Sequence, residues 1–383
     1  MFAHSRLVVG TLLMMVALAA CGTAASPAPT TVPPMSVPPT TVASKTATPS
    51  SQVKPITEVI SSIDTSLTVR AQNKIFSGSV LISKNGKILL SKGYGLADQD
   101  KKSPNTPQTR FVIDALSKPF TAMGILILQN KGKLNVQDPI CKYVKSCPAA
   151  WKAITIQQIL ISTSGLPDLS SFVDYKEKIS KPMTLAQLIN WFKEKPLDFQ
   201  PGTKWYYSIT GYYILEYIIE QVSGQSYATF LKENIFDPLN MTDTGTVTSG
   251  KDLAIGYQDY LKNQKADLYP WLARLYSSVE DLYKWDQSFN TEKLVPQNLV
   301  NEMLKAQVDC GAEDPGESYG YGWFIVPFQW QYALAENSNW LGYTQANWYF
   351  PNNQLTIIVL SNIADPAAQN MGFMINGLLY ELL

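Results

Sequence analysis

Histidine is almost missing from this chain of 383 residues: the single one, His4, lies ahead of the first apolar stretch. Everything after it therefore cannot run a Ser-His-Asp relay or build a zinc site with histidine ligands. No metal and no cofactor are expected. Net charge is also missing. Lys+Arg and Asp+Glu both number 31, and no basic stripe interrupts that balance, so nucleic acid is not an expected partner. Long apolar runs are short supply too. The stretch Leu7 to Ala20 holds 14 residues, fewer than the roughly 20 that span a bilayer as a helix. Cysteine is scarce, with four residues in all.

The first of these, Cys21, ends the run Leu18-Ala19-Ala20-Cys21, and Arg6 precedes the apolar stretch. Residues 1–21 read as an export signal whose end is similar to a lipobox, in which the cysteine is lipidated and becomes the mature N-terminus. Two or more acyl chains, at about 0.8 kcal/mol per buried CH₂, anchor a protein stably without a transmembrane helix. Residues 22–55 are rich in Pro, Thr, Ser and Ala and read as a disordered linker. Residues 56–383 carry nearly all the aromatics and are expected to form one large domain. The expected location is outside the cytoplasm, lipid-anchored to the outer face of the bacterial membrane or elsewhere in the cell envelope. Cys141 and Cys147 flank KYVKS in a chain expected to be exported, so a disulfide between them is expected, with Cys310 left as a buried thiol.

The segment from Phe111 to Pro139, FVIDALSKPFTAMGILILQNKGKLNVQDP, carries most of the functional information. It resembles the catalytic helix of the serine β-lactamase and penicillin-binding-protein family, closest to the class C type, in which a Ser-x-x-Lys pair opens a long apolar helix. Lys118 stands at the lysine position. Ala115 stands at the serine position and has no oxygen to acylate. Ser117 is not a substitute, because a residue two helical steps on points about 200° away and Phe120 occupies the place its lysine would need. Asp114 is expected to cap the helix, a role worth about 1 kcal/mol. Pro119 sits near the first turn, where it is tolerated, and Gly132 near the expected stop.

The resemblance extends over residues 60–383, so the other motifs can be placed. QQILISTSGLPD, residues 157–168, and Pro201-Gly202-Thr203 lead to Tyr207-Ser208-Ile209, where the family has Tyr-x-Asn. The tyrosine survives as Tyr207, and the asparagine has become Ile209, which has no hydrogen-bonding atoms. The third motif, Lys/His-Thr/Ser-Gly on the strand beside the site, aligns with Glu336, Asn337 and Ser338. Glu336 would repel a substrate carboxylate that the family's cation or neutral donor would hold. Arg274 follows Ala273 where the family carries Gly-Gly, filling the pocket. Lysine on the first turn of a half-buried helix needs a counter-charge, so Lys118 and Glu336 are expected to pair, with Tyr207 beside them.

The resemblance implies an α/β chain of the α+β type: an antiparallel sheet built from the N- and C-terminal strands, flanked by helices, with an inserted helical subdomain and the site at their junction. Strand signals fit at Ser79–Ser83 and Lys87–Gly95 around Asn85-Gly86, and again at Tyr321–Trp330, Tyr343–Phe350 and Leu355–Leu360, followed by an apolar closing segment. The residues between Ala115 and Phe289 are mostly helical in pattern. Removing a serine nucleophile costs on the order of 10⁶ in kcat in an unrelated serine hydrolase, and three motifs are altered together. The first reading is an inactive, membrane-anchored relative that binds a cell-wall fragment, a small molecule or a protein partner. Two others stay open: a serine hydrolase or D,D-peptidase-like enzyme with a non-standard nucleophile, and a structural envelope protein. The sequence does not set the oligomeric state.

Overall fold

The computed structural model describes residues 55–247, 252–269, 275–328 and 331–364. The leader, Cys21, the linker, Ala273, Arg274 and the C-terminal segment expected to close the fold lie outside the described residues.

Helix α1 (Ile56–Gln72) buries Val59, Ile63 and Leu67, a single face at four-residue spacing. That face covers one side of an eight-stranded antiparallel sheet. In chain order its strands are β1 (Gly78–Lys84), β2 (Lys87–Tyr94), β3 (Val308–Asp309), β4 (Ser318–Tyr319), β5 (Phe324–Phe328), β6 (Gln331–Trp340), β7 (Tyr343–Phe350) and β8 (Leu355–Ser361). In space they run β3-β4-β5-β6-β7-β8-β1-β2. The first strand is therefore hydrogen-bonded to the last, with Gly78 opposite Ser361 and Ser83 opposite Thr356, as expected for a sheet assembled from both ends of the chain. The turn between β1 and β2 takes left-handed φ at Asn85 (52°) and Gly86 (73°), which a two-residue hairpin of this kind requires.

β1 and β8 are buried along nearly their whole length because both faces of the sheet are covered. Val80, Ile82, Ile357 and Val359 pack with α1. Leu81, Ile358 and Leu360 join the larger core on the other face. That core is centred on helix α2 (Lys118–Asn130), buried from Lys118 through Leu128, and on helices α3 (Thr210–Ser223) and α4 (Val279–Ser288). Gly132, at φ 66°, ends α2, its amide donating to Gln129 and that of Lys133 to Leu128. Short strand pairs interrupt the mostly helical middle: Phe111–Val112 with Leu275–Ser277, and Tyr257–Asp259 with Gln264–Lys265. A disulfide joins Cys141 to Cys147, and Cys310 is a buried thiol. Among the described residues no helix is long and apolar enough to cross a membrane.

Candidate active site

The chain enters the site through a sharp elbow. Phe111–Val112 ends as a strand, Asp114 takes φ 36°, and Asp114–Ser117 forms a 3₁₀ turn that runs into α2. A left-handed φ on a residue with a side chain stores strain, of the sort that concentrates at functional sites. In the 3₁₀ turn residues three apart eclipse one another, so Ala115 and Lys118 share a face. Ser117 does not, and its carbonyl accepts the Thr121 hydroxyl at 3.4 Å.

Asp114 does not cap the helix. Its turn has no side-chain cap, and the half-buried carboxylate instead accepts a hydrogen bond from the hydroxyl of Ser338 on β6. The correction has a physical cause: the elbow turns the Asp114 side chain toward β6, where its carboxylate meets Ser338 and the adjacent Ala115 amide and makes no cap. Burial pushes the Asp114 carboxyl above its ordinary range, against the opposing pull of the Ser338 hydroxyl and the Lys118 charge.

Lys118 is buried at the start of α2, with its Nζ 3.4 Å from Glu336 Oε1. The Tyr207 hydroxyl completes the group. It hydrogen-bonds Lys118 Nζ and donates to Glu336 Oε1 at 3.4 Å, while the ammonium lies 4.3 Å from the Tyr207 ring centroid and 6.0 Å from that of Tyr212. The expected pairing of Lys118, Glu336 and Tyr207 is thus present in the geometry. Two ties run side by side from helix to strand, Asp114 to Ser338 and Lys118 to Glu336. Ser338 and Glu336, two apart on β6, share the face turned toward the helix. Asn337 is not brought in: as the intervening residue it points to the opposite face, where its Oδ1 accepts from Trp348 Nε1 at 2.9 Å.

Ile209 immediately precedes α3 and is half-buried against the larger core. Its side chain contributes no polar atom, but its backbone N–H donates to Asp168 Oδ2 at 3.0 Å. The other Asp168 oxygen accepts the Ser170 amide at 2.8 Å. Asp168 therefore ties the Ser-Gly-Leu-Pro loop to the start of α3 and fixes where Tyr207 stands. The sequence signal for this role is the place of Asp168 at the end of QQILISTSGLPD. Sequence reasoning does not single out Tyr212 or Tyr319. Both are buried, Tyr319 in the cluster that Tyr207 packs against, and burial holds their hydroxyls well above the usual tyrosine range, with the Glu336 carboxylate adding to the effect.

The arrangement holds one ammonium, one phenol and one carboxylate in contact, which can share and move a proton. It presents a methyl group, on Ala115, where an acyl group would be carried. The Lys118 charge is matched by Glu336, so it is not held in reserve for a ligand carboxylate.

A family model described as Beta-lactamase matches residues 64–373. PbpX of Bacillus subtilis (strain 168), which bears a penicillin-binding-protein name, is 30% identical over 319 residues, covering 80% of this chain and 75% of its own. A teichoic acid D-alanine hydrolase of Staphylococcus aureus is 30% identical over 265 residues, covering 67% of this chain and 64% of its own. The crystal structure of a penicillin binding protein from Bacillus halodurans superposes with a TM-score of 0.73 at 24% identity, over 82% of this chain and 98% of that one, which establishes the likeness of fold.

Proposed function

Since the chain belongs to the beta-lactamase family, a family of serine hydrolases, we propose that it is an inactive member, anchored in the cell envelope by a lipid on Cys21, that binds an envelope ligand or partner without acylation. One observation carries the reading: the family's nucleophile position is Ala115, on the same face as Lys118, in a site that keeps only the lysine and the tyrosine. The loss is not isolated. Ile209 removes the asparagine that would grip a substrate amide, and Glu336 puts an anion where a ligand carboxylate would be held. Anchoring is supported by the Leu18-Ala19-Ala20-Cys21 run and by the linker of residues 22–55. The envelope as the place of action is supported by the names of the relatives, penicillin-binding proteins and a teichoic acid hydrolase.

The retained hydrogen bond between Lys118 and Tyr207 favours a second reading, hydrolysis through another nucleophile. Intact-mass analysis after exposure to a fluorescent penicillin and to an activated ester separates the two. No acyl adduct is expected on the native chain, and Ala115→Ser is expected to give at most weak turnover, because Ile209 and Glu336 still leave the substrate unheld. An adduct mapped to any serine of the native chain refutes inactivity. Melting in the presence of soluble cell-wall fragments then tests binding: an upward shift without an adduct supports the ligand-binding reading, and no shift with any fragment removes it in favour of a structural role.

A further inference from the structure

Beneath the site, on the face of the sheet turned toward α4, lies a pair of buried polar side chains that the vestigial chemistry does not use. Asp286 on α4 and Asn347 on β7 are both essentially inaccessible to solvent. Asn347 Nδ2 donates to Asp286 Oδ1 at 3.0 Å. The two remaining oxygens, Asp286 Oδ2 and Asn347 Oδ1, have no hydrogen-bond partner among the described residues. Two orphaned acceptors in one pair are costly, because each loses its water without replacement. A carboxylic acid facing a primary amide removes both faults with one proton: the amide N–H donates to the acid carbonyl, and the acid O–H donates back to the amide carbonyl.

We propose that Asp286 keeps its proton in the folded protein and closes a two-bond ring with Asn347, making the pair an internal proton site directly behind the Lys118–Glu336 contact. Among the described residues no cation is paired with the carboxylate. β8 carries no charged residue and β1 only the half-exposed Lys84 at its end. On α4 itself, Lys284 is taken by Asp281 at 2.7 Å, and Glu280 accepts from Gln108 and Ser91. On β7 the nearby Tyr349 hydroxyl accepts from Asn290 at 2.8 Å. On β6 the facing residue is Glu336, the register partner of Asn347, with Lys118 already on its far side. An ionised Asp286 would thus add a second buried anion next to Glu336 rather than meet a cation.

Burial pushes the Asp286 carboxyl up to about 8, with the Asn347 amide only partly opposing it. The folded state then holds a proton that the unfolded chain releases near the ordinary value of 3.8. Stability from the pair is full below that value and is lost as pH rises to about 8.

Infrared spectra of the full chain, recorded from pH 5 to 9, test the idea together with melting temperature over the same range. The expected result is a protonated-carboxyl band that fades through about pH 8 and is absent in Asp286→Asn, an isostere that can still donate an N–H to Asn347. The fall in melting temperature between pH 5 and 8 is expected to flatten in that variant. Asp114→Asn separates the contribution of the other raised carboxyl. If Asp286→Asn does not fold, Asn347→Leu serves instead, and loss of the amide partner should move the same band to higher frequency. An Asp286 carboxylate band already present at pH 6, a melting profile unchanged in Asp286→Asn, or a band unmoved in Asn347→Leu overturns the proposal.

Discussion

A methyl at position 115 matters less for what it does than for what it leaves unbalanced. Lys118 would otherwise share its surroundings with a hydroxyl; here it is held by Glu336 and Tyr207, with both charged groups sealed from water and the phenol half-buried. Removing one member of such a pair leaves a buried charge, which costs about 3–5 kcal/mol, whereas replacing both members with apolar residues is often neutral. Glu336→Gln is therefore expected to destabilise the protein by about 3 kcal/mol, and Lys118→Met with Glu336→Leu to recover most of that loss, both read by urea unfolding. A small effect from Glu336→Gln, or a double variant no better than the single, would show that the pair is not the structural replacement described above. These residues were legible because each occupied a slot in a recognisable motif. Asp286 occupied none: within KWDQSF it reads like any helix-surface acid, and only the tertiary packing of α4 on β7 reveals that it is sealed inside.

At the level of elements, local signals did well where the physics is local. Asn85-Gly86 announces its hairpin because its left-handed turn needs those residue types, and β7 falls at Tyr343–Phe350, where Tyr343, Trp348, Tyr349 and Phe350 give an aromatic strand signal. β6 gave no comparable signal. Its second half, Glu336-Asn337-Ser338-Asn339, is polar on both faces, so it could be located only from the motif it replaces. The elbow before α2 was also invisible, which is why Asp114 was expected to cap a helix that it does not cap. That elbow is braced from behind by Gly322, at φ 85°, where an added Cβ would lie 2.9 Å from the backbone nitrogen of Pro119 and 3.0 Å from the carbonyl carbon of Lys118. Gly86 has a similar φ and open space around it. Gly86→Ala should cost only the conformational penalty, about 1 kcal/mol, and Gly322→Ala clearly more, since backbone atoms of the first helical turn must also move. Equal losses in the two melting temperatures would mean that the brace is slack.

For the whole molecule, no stretch of sequence states which strands are neighbours; the likeness to a known fold supplied that, and burial on both faces of β1 and β8 explains why it holds. The Ser361 hydroxyl donates to the Ser77 carbonyl across a separation of 284 residues. β1 is thus one of the earliest segments to emerge from the ribosome and must wait for the end of the chain to gain its second neighbour, β8, and contacts so distant along the chain make for slow folding. A chain stopped after residue 342 lacks both β7 and β8 and is expected to be protease-sensitive throughout, with no cooperative unfolding transition; a protease-resistant fragment containing β1 would show that the sheet can start without its closing strands. For a protein expected to be exported, this delay is useful. An incomplete sheet stays unfolded, an unfolded chain can be threaded through a membrane, and the wiring that joins the two ends also keeps the polypeptide fit for transport until its last strands have been made.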